Sequence, residues 1–214
     1  MKIVLHSYWR SSASHRVRIG LAWKGIAYQY AAINIVKAEQ FADAYRDKNP
    51  MAQVPTLQIT EDDGRTIAIA QSLPILEYLE ERFGGAPLLP GDPYLRARTR
   101  MLCEIVNSGI QPFQNLATGA AVKKLGGDEG EWRKHFVTDG LVALERATRE
   151  VAGAFSVGDA VSAADCFLIP QIASARRFGV DVARFELLEQ IEQRCLALPA
   201  FQSAVPDLQP DAVK

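Results

Sequence analysis

The sequence has few cysteines, and their spacing does not suit a disulfide framework. Its 214 residues contain three cysteines, Cys103, Cys166 and Cys195, which lie far apart and within helical patterns. An odd number of well-separated cysteines is typical of reduced, buried thiols rather than of bridged ones. The cysteines and the three histidines also lack the spacing of metal ligands, so we expect no metal site.

The sequence also lacks a basic excess and a long apolar run. Its formal net charge is −1, whereas binding to nucleic acid or to an anionic membrane requires a strongly positive surface. No apolar run approaches the roughly 20 residues that span a bilayer, and His6 and Arg10 interrupt any signal-peptide core. We therefore expect a cytoplasmic protein that binds a small molecule, and neither nucleic acid nor membrane.

What the sequence does have is a cluster of hydroxyls where a predicted strand gives way to a helix. The run YWRSSASHRVRIG places Ser11, Ser12 and Ser14 between the apolar residues 3–5 and a helical pattern. A helix N-terminus stabilises a thiolate, carboxylate or phosphate, because it presents backbone N–H groups and about half a positive charge. Serine is also an ordinary N-cap residue. Three hydroxyls directly after Arg10 nevertheless favour a small anionic ligand.

The first 83 residues alternate between strand and helix patterns. The predicted strands are 3–5, 28–33, 56–59 and 66–70, and the predicted helices are 13–24, 39–46 and 72–83. The order βαβαββα predicts an α/β domain with the thioredoxin-like fold over residues 1–83. Thioredoxins carry Cys-x-x-Cys at the first strand-to-helix turn, where this chain has Ser-Ser-Ala-Ser. Any sulfur chemistry at that turn therefore requires a thiol supplied by a ligand.

The composition changes at residues 84–93, where glycine and proline indicate a linker. Residues 94–214 are predicted to form an all-α helical domain. Its predicted helices are 94–122, 129–154, 163–177 and 184–197. Ser162 and Asp165 fit a capping box at the start of an apolar helix, which we interpret as structural.

Five segments together resemble one known family. They are YWRSSASHRVRIGL at 8–21, NPMAQVPTL at 49–57, QSLPILEYLEE at 71–81, GIQPFQNL at 109–116 and VGDAVSAADCFLIPQIASARRFGVD at 157–181. The chain resembles the zeta-class glutathione transferases, which include the maleylacetoacetate isomerases and carry a signature close to SSCxWRVRIAL. The resemblance implies glutathione as cofactor and a homodimer with a cleft between two domains. The signature cysteine is Ala13 here.

The resemblance also implies roles for individual residues. Ser11 is the hydroxyl that donates to the glutathione sulfur and Ser12 supports it, although spacing alone does not rank the serines. Val54 offers its backbone before a cis Pro55, although a proline at the start of a strand is also ordinary. Gln71 and Ser72 hold the γ-glutamyl carboxylate. The predicted glutathione contacts are Ser11, Ser12, Gln40, Val54, Pro55, Gln71, Ser72, Gln111 and Asn115.

The energy needed to activate a thiol is within reach of such a site. Lowering the pKa of the glutathione thiol from about 8.5 by about two units requires roughly 2.7 kcal/mol. A helix N-terminus contributes about 0.3–1 kcal/mol, or up to about 2 when partly buried. A hydroxyl hydrogen bond to the anion contributes about 1.5–3 kcal/mol. The resemblance implies that the position of Ala13 lies near the thiol without being indispensable, so isomerase activity should survive the alanine. Chemistry that needs a protein thiol, such as resolving a mixed disulfide, should not.

The implied substrate is maleylacetoacetate, a cis-enedioate of aromatic amino-acid catabolism, which is isomerised to fumarylacetoacetate. Its carboxylates need cations, and we expect Arg10 and Arg177 to bind them, with Arg10 also catalytic. An arbitrary arginine is more often a solvated surface charge.

Three alternatives remain open from the sequence: a zeta-like transferase acting on α-halo acids, an isomerase of maleylpyruvate, and a non-catalytic interaction scaffold. Maleylpyruvate isomerase tends to have histidine at position 111 and arginines near 116–117, whereas this chain has Gln111, Leu116 and Ala117. The retained serines and the Gln71-Ser72 pair argue against a scaffold, which needs no thiolate site.

Overall fold

The computed structural model describes residues 1–213, which form two compact units. Residues 88–197 form the second unit, and the first combines residues 1–87 with the chain from Leu198 onward. The sequence predicts that the whole of 94–214 belongs to the helical domain. The structure places its end in the first unit instead, because Phe201 is fully buried and Arg18 Nε donates to the Ala204 carbonyl at 3.0 Å.

The first unit is a four-stranded sheet with helices. Its elements are β1 (Lys2–Ser7), α1 (Ser12–Trp23), β2 (Gln29–Ala32), α2 (Asp43–Arg46), β3 (Thr56–Thr60), β4 (Thr66–Ala70) and α3 (Ser72–Arg82). The strand order is β2-β1-β3-β4, with β1 parallel to β2 and antiparallel to β3, and β3 antiparallel to β4. The predicted thioredoxin-like topology is confirmed.

The second unit is all-helical, as predicted. Its helices are α4 (Pro93–Asn107), α5 (Gln111–Gln114), α6 (Leu116–Lys124), α7 (Glu129–Arg149), α8 (Ala163–Arg177) and α9 (Glu186–Leu196), and α10 (Pro199–Ser203) belongs to the first unit. Helix α8 is buried over nearly its whole length and contacts α4, α7 and α9. No helix among residues 1–213 is long and apolar enough to cross a membrane.

Two predicted helices are broken in the structure. The helix predicted over 39–46 is a 3-10 turn at Glu39–Phe41 followed by α2, because Ala42 between them is extended. The helix predicted over 94–122 divides into α4, α5 and α6. Its first break lies beside Gly109, where an added Cβ would stand 2.5 Å from the Ile105 carbonyl oxygen.

The start of α8 carries the predicted capping box. The Asp165 carboxylate accepts from the backbone N–H of Ser162 at 2.7 Å and from that of Ser156 at 2.9 Å. The carboxylate is completely buried. Burial raises the pKa of Asp165, and its hydrogen bonds from Ser156 and Ser162 oppose that rise.

Substitution of Asp165 by alanine should lower the free energy of unfolding by about 3 kcal/mol, because it strands two buried N–H donors that cost about 1–3 kcal/mol each. Urea denaturation measures the loss. Asp181→Ala is the matched control, since Asp181 caps the 3-10 turn Val182–Arg184 at an exposed position. An Asp165→Ala effect no larger than that of the control would contradict a structural role for the box.

Candidate active site

The start of α1 presents the predicted hydroxyl in a defined geometry. Ser11 is the N-cap, and its Oγ accepts from the Ser14 N–H at 3.2 Å. Its own N–H donates to the Tyr8 carbonyl at 3.0 Å. A hydroxyl has one donor and two acceptor positions, so Ser11 can cap the helix and still donate its proton to a ligand. The capping role and the anion-binding role are therefore compatible.

The neighbours of Ser11 add a positive charge to the helix start. Ser12 is the first residue of α1 and is half-buried, as is Ala13. Arg10 is exposed, and its guanidinium carbon lies 5.3 Å from the centroid of the Trp9 indole. The helix N-terminus and the Arg10 cation thus occupy the same turn, which suits an anionic ligand.

A second helix start offers another positive region. Ser72 begins α3, is 2 % exposed, and its Oγ accepts from Arg16 Nη1 at 3.1 Å. Arg16 itself is completely buried. Because a buried guanidinium reinforces the positive end of the α3 dipole, a carboxylate is the ligand that suits this position. The Arg16–Ser72 bond also joins the starts of α1 and α3.

Gln71, the N-cap of α3, has a strained backbone. Its φ is 73° and its ψ is 129°, a conformation that costs a non-glycine residue about 1–3 kcal/mol. Its side-chain Nε2 donates to Gln53 Oε1 at 3.3 Å. Strain of this kind concentrates at ligand clamps, which agrees with the predicted role of Gln71.

The Val54–Pro55 peptide bond is cis, as the family resemblance implies. The preceding carbonyl, that of Gln53, accepts from the Tyr45 hydroxyl at 2.6 Å and from Asn49 Nδ2 at 2.7 Å. These two side chains fix the backbone that leads into Val54. Neither Tyr45 nor Asn49 was predicted from the sequence, because no local pattern indicates that their side chains bond to the Gln53 carbonyl.

Gln40 lies in the 3-10 turn Glu39–Phe41. Its Oε1 is buried and has no hydrogen-bond partner among the described residues. An unpartnered buried acceptor costs about 1–3 kcal/mol, and a peptide ligand with amide or ammonium donors could satisfy it. The N–H donors at the starts of α1 and α3, together with this buried acceptor, therefore fit a small peptide that carries carboxylates.

The predicted residues of the second unit form their own group. Gln111 Nε2 donates to Asn115 Oδ1 at 2.7 Å, and Gln114 Nε2 donates to Gln111 Oε1 at 3.1 Å. Gln114 and the buried Gln171 exchange two further amide hydrogen bonds. Gln111 and Asn115 are thus held by a network within their own unit, and both remain half-buried.

Two adjacent arginines at the end of α8 differ in their environment. Arg176 pairs with the carboxylates of Glu189 and Glu192, which assigns it a structural role. Arg177 is exposed, and its guanidinium carbon lies 5.1 Å from the Phe178 ring centroid. Its Nη2 donates to the Ser174 hydroxyl at 3.5 Å, and its predicted role in binding a substrate carboxylate stays a prediction.

The protein's own thiols lie in the second unit. All three cysteines are buried in the second unit. Burial raises the pKa values of the Cys166 and Cys195 thiols, so both stay protonated and unreactive. Since position 13 is alanine, a thiolate at the start of α1 must come from a ligand.

The sequence is similar to those of known glutathione transferases and isomerases. The family described as "Glutathione S-transferase, N-terminal domain" matches residues 10–82. Maleylacetoacetate isomerase from Mus musculus is 46% identical over 213 residues, which cover 98% of this chain and 95% of that protein. The zeta-class glutathione S-transferase of Euphorbia esula is 42% identical and covers 99% of this chain and 93% of its own length.

A solved structure extends the similarity to three dimensions. Maleylacetoacetate isomerase from Anaeromyxobacter dehalogenans, with glutathione bound in its active site, superposes with a TM-score of 0.91 at 50% identity. The match covers 99% of this chain and 98% of that one. The same protein is also solved with dicarboxyethyl glutathione and citrate in its active site, at 48% identity and a TM-score of 0.91.

Two variants of Gln71 should separate the stability cost of its backbone conformation from the contribution of its side chain to glutathione binding. Gln71→Gly and Gln71→Ala both remove the amide and should weaken glutathione binding alike. Only glycine relieves the positive φ, so we expect Gln71→Gly to be more stable than Gln71→Ala by about 1 kcal/mol. Urea denaturation and calorimetric titration with glutathione measure the two effects. Equal stability of the two variants would show that the backbone at this position is not strained.

His15 should make stability depend on pH. Burial, and then the Arg18 charge, lower the pKa of His15 from 6.5 to about 3, so the unfolded chain binds a proton between these values and the native protein does not. Stability is therefore full above pH 6.5 and declines as the pH falls toward 3, by about 2 kcal/mol at pH 5. Denaturation at pH 7.5 and pH 5 should show a smaller difference for His15→Phe. The exposed-site control His135→Gln should retain the wild-type difference, and a wild-type slope in His15→Phe would refute this assignment.

Proposed function

Because the chain belongs to the family of zeta-class glutathione transferases and maleylacetoacetate isomerases, we propose that it catalyses the glutathione-dependent isomerisation of maleylacetoacetate to fumarylacetoacetate. The observation that carries this proposal is the start of α1. There a capping hydroxyl keeps its proton available beside an arginine, and the turn contains no protein thiol. Such a site activates a thiol supplied by a ligand.

Ser11 stabilises the sulfur anion in this proposal. Its Oγ already accepts from Ser14 N–H, which orients the hydroxyl proton away from the helix. The hydrogen bond and the helix N-terminus together supply the roughly 2.7 kcal/mol that a two-unit lowering of the thiol pKa requires. When bound, glutathione supplies the nucleophile that adds reversibly to the conjugated double bond, which then becomes a rotatable single bond. Ser12 supports the same anion from the first turn.

The remaining residues of the first unit hold the peptide. Ser72, together with the buried Arg16, offers its positive helix start to the γ-glutamyl carboxylate. The backbone of Val54 pairs with the cysteinyl part of the ligand, and Gln40 contributes an acceptor, Oε1, that has no partner among residues 1–213. Gln111 and Asn115 are further proposed contacts from the second unit. Each of these roles follows from chemistry and family resemblance together.

The substrate is a dianion, and Arg10 and Arg177 are its proposed ligands. Arginine binds carboxylates through two parallel hydrogen bonds, and both side chains are exposed. The relative from Anaeromyxobacter dehalogenans, which holds dicarboxyethyl glutathione and citrate in its active site, supports a site for small polycarboxylates. The homodimer that the family resemblance implies and the cytoplasmic location that the sequence indicates both stay predictions.

The test is a comparison of three serine variants. Ser11→Ala should lower glutathione-dependent turnover of maleylacetoacetate by about 10²–10³-fold, the usual cost of losing one donor to a developing anion. Ser14→Ala is the matched control on the same turn, because the buried Ser14 Oγ has no hydrogen-bond partner among the described residues. Ser11→Gly costs the helix cap only a few tenths of a kcal/mol, so it separates lost chemistry from lost stability.

The outcomes distinguish the candidate functions. Loss of turnover in Ser11→Ala and Ser11→Gly, with Ser14→Ala active, supports the thiolate mechanism. Glutathione binding without turnover of maleylacetoacetate would refute the isomerase and leave a transferase acting on α-halo acids. A wild-type protein that binds no glutathione would leave only the scaffold.

A further inference from the structure

The C-terminal segment reaches the loop that leads into the candidate active site. The Asp211 carboxylate accepts from the Trp9 backbone N–H through Oδ2 at 3.1 Å. Its other oxygen, Oδ1, accepts from the Tyr30 hydroxyl at 2.6 Å. Trp9 and Asp211 are 202 positions apart in the sequence. One carboxylate thus ties β2 to the loop between β1 and α1, two residues before Ser11.

The backbone carbonyl of Trp9 is also fixed by a hydrogen bond. Arg18 Nη2 donates to the Trp9 carbonyl at 3.2 Å and Nη1 to the Tyr8 carbonyl at 3.5 Å. Arg18 is 1 % exposed, and its Nε donates to the Ala204 carbonyl at 3.0 Å. Burial lowers the pKa of Arg18 to about 10, which leaves it charged at neutral pH. The loop is therefore fixed by one anion and one cation, and the segment after Leu198 participates in both contacts.

The carboxylate is itself anchored in a single orientation. Burial and the hydrogen bond to Asp211 raise the pKa of the Tyr30 hydroxyl, so it remains a donor at physiological pH. Gln209, two residues before Asp211, donates to the carbonyls of Ser203 and Val205. These bonds order the approach of the chain to Asp211.

Displacement of Trp9 would affect both candidate groups beside it. Ser11 donates its N–H to the Tyr8 carbonyl, and Arg10 stacks on the Trp9 indole. A shift of about 1 Å in a catalytic group can cost about 100-fold in rate. The loop therefore has to be held rigidly for a thiol-activating hydroxyl to act.

We propose that Asp211 is a positioning residue of the active site, whose carboxylate fixes the Trp9 backbone and thereby places the Ser11 hydroxyl and the Arg10 guanidinium. This role rests on the proposed function, since it acts on the hydroxyl that stabilises the glutathione thiolate. It makes Asp211 part of a site to which residues 9–11 also belong.

The test compares variants of one carboxylate with a neighbouring control. Asp211→Ala removes both acceptors, and Asp211→Asn is an isosteric variant for use if the alanine variant does not fold. Asp211→Glu keeps the charge. Tyr30→Phe removes the second bond and leaves the one to Trp9. Asp207→Ala is the matched control, because Asp207 is an exposed carboxylate in the same segment.

Two readouts are needed besides turnover. The first is the pKa of the glutathione thiol on the enzyme, followed through the ultraviolet absorbance of the thiolate. The second is amide hydrogen exchange in the peptide over residues 8–16 of the ligand-free protein. Asp211→Ala should raise the thiol pKa, speed exchange in this peptide and lower kcat/KM about 10-fold. Asp211→Glu should recover part of the loss, Tyr30→Phe should shift the readouts in the same direction by less than Asp211→Ala, and Asp207→Ala should stay close to wild type.

The results separate this proposal from the function on which it rests. An Asp211→Ala protein with faster exchange but an unchanged thiol pKa and kcat/KM overturns the positioning role and leaves the proposed function intact. An equal loss in Asp207→Ala overturns it too. A wild-type protein without glutathione-dependent turnover overturns the proposed function first, and the positioning role with it.

Discussion

The N-terminal end of α1 is the feature on which the rest of the first unit depends. Two completely or almost completely buried arginines, Arg16 and Arg18, project from this one helix toward different partners. Arg16 bonds to Ser72 at the start of α3, and Arg18 bonds to the Trp9 carbonyl. Buried cations are costly unless hydrogen bonds satisfy them, so the contacts that satisfy them also fix where the neighbouring segments lie.

Near that helix, two residues of the candidate site are in states that cost stability. Gln71 has a positive φ, and Gln40 has a buried acceptor without a partner in residues 1–213. Each of these departures from local preference lies where family resemblance predicts a glutathione contact. Local rules are expected to fail at functional sites, since a ligand, rather than the protein, completes the interaction.

The elements that could be predicted from sequence have local causes. The apolar pattern predicted the four strands and their order along the chain. The position of Ser11 between a strand and a helix is also visible in the sequence. The bond from Tyr45 to Gln53 and the bond from Trp9 to Asp211 have no such signal. The same limit applies to the C-terminal segment, whose helical pattern does not indicate that it joins the first unit. The break in the helix predicted over 94–122 does have a local signal, because Gly109 lies beside it and approaches the carbonyl oxygen of Ile105, four residues earlier.

The alanine at position 13 has a chemical consequence for this arrangement. A cysteine in the first turn of α1 would itself be acidified by the helix N-terminus and could form a mixed disulfide with a bound thiol. The cysteines that the chain does contain are buried, and burial raises the pKa of Cys166 and Cys195. In the proposed function, the stabilisation by Ser11 and the helix N-terminus acts on the ligand thiol alone, because residue 13 offers no competing protein thiolate. The alanine thus removes thiol–disulfide exchange with residue 13 and leaves the reversible addition that the proposed isomerisation uses.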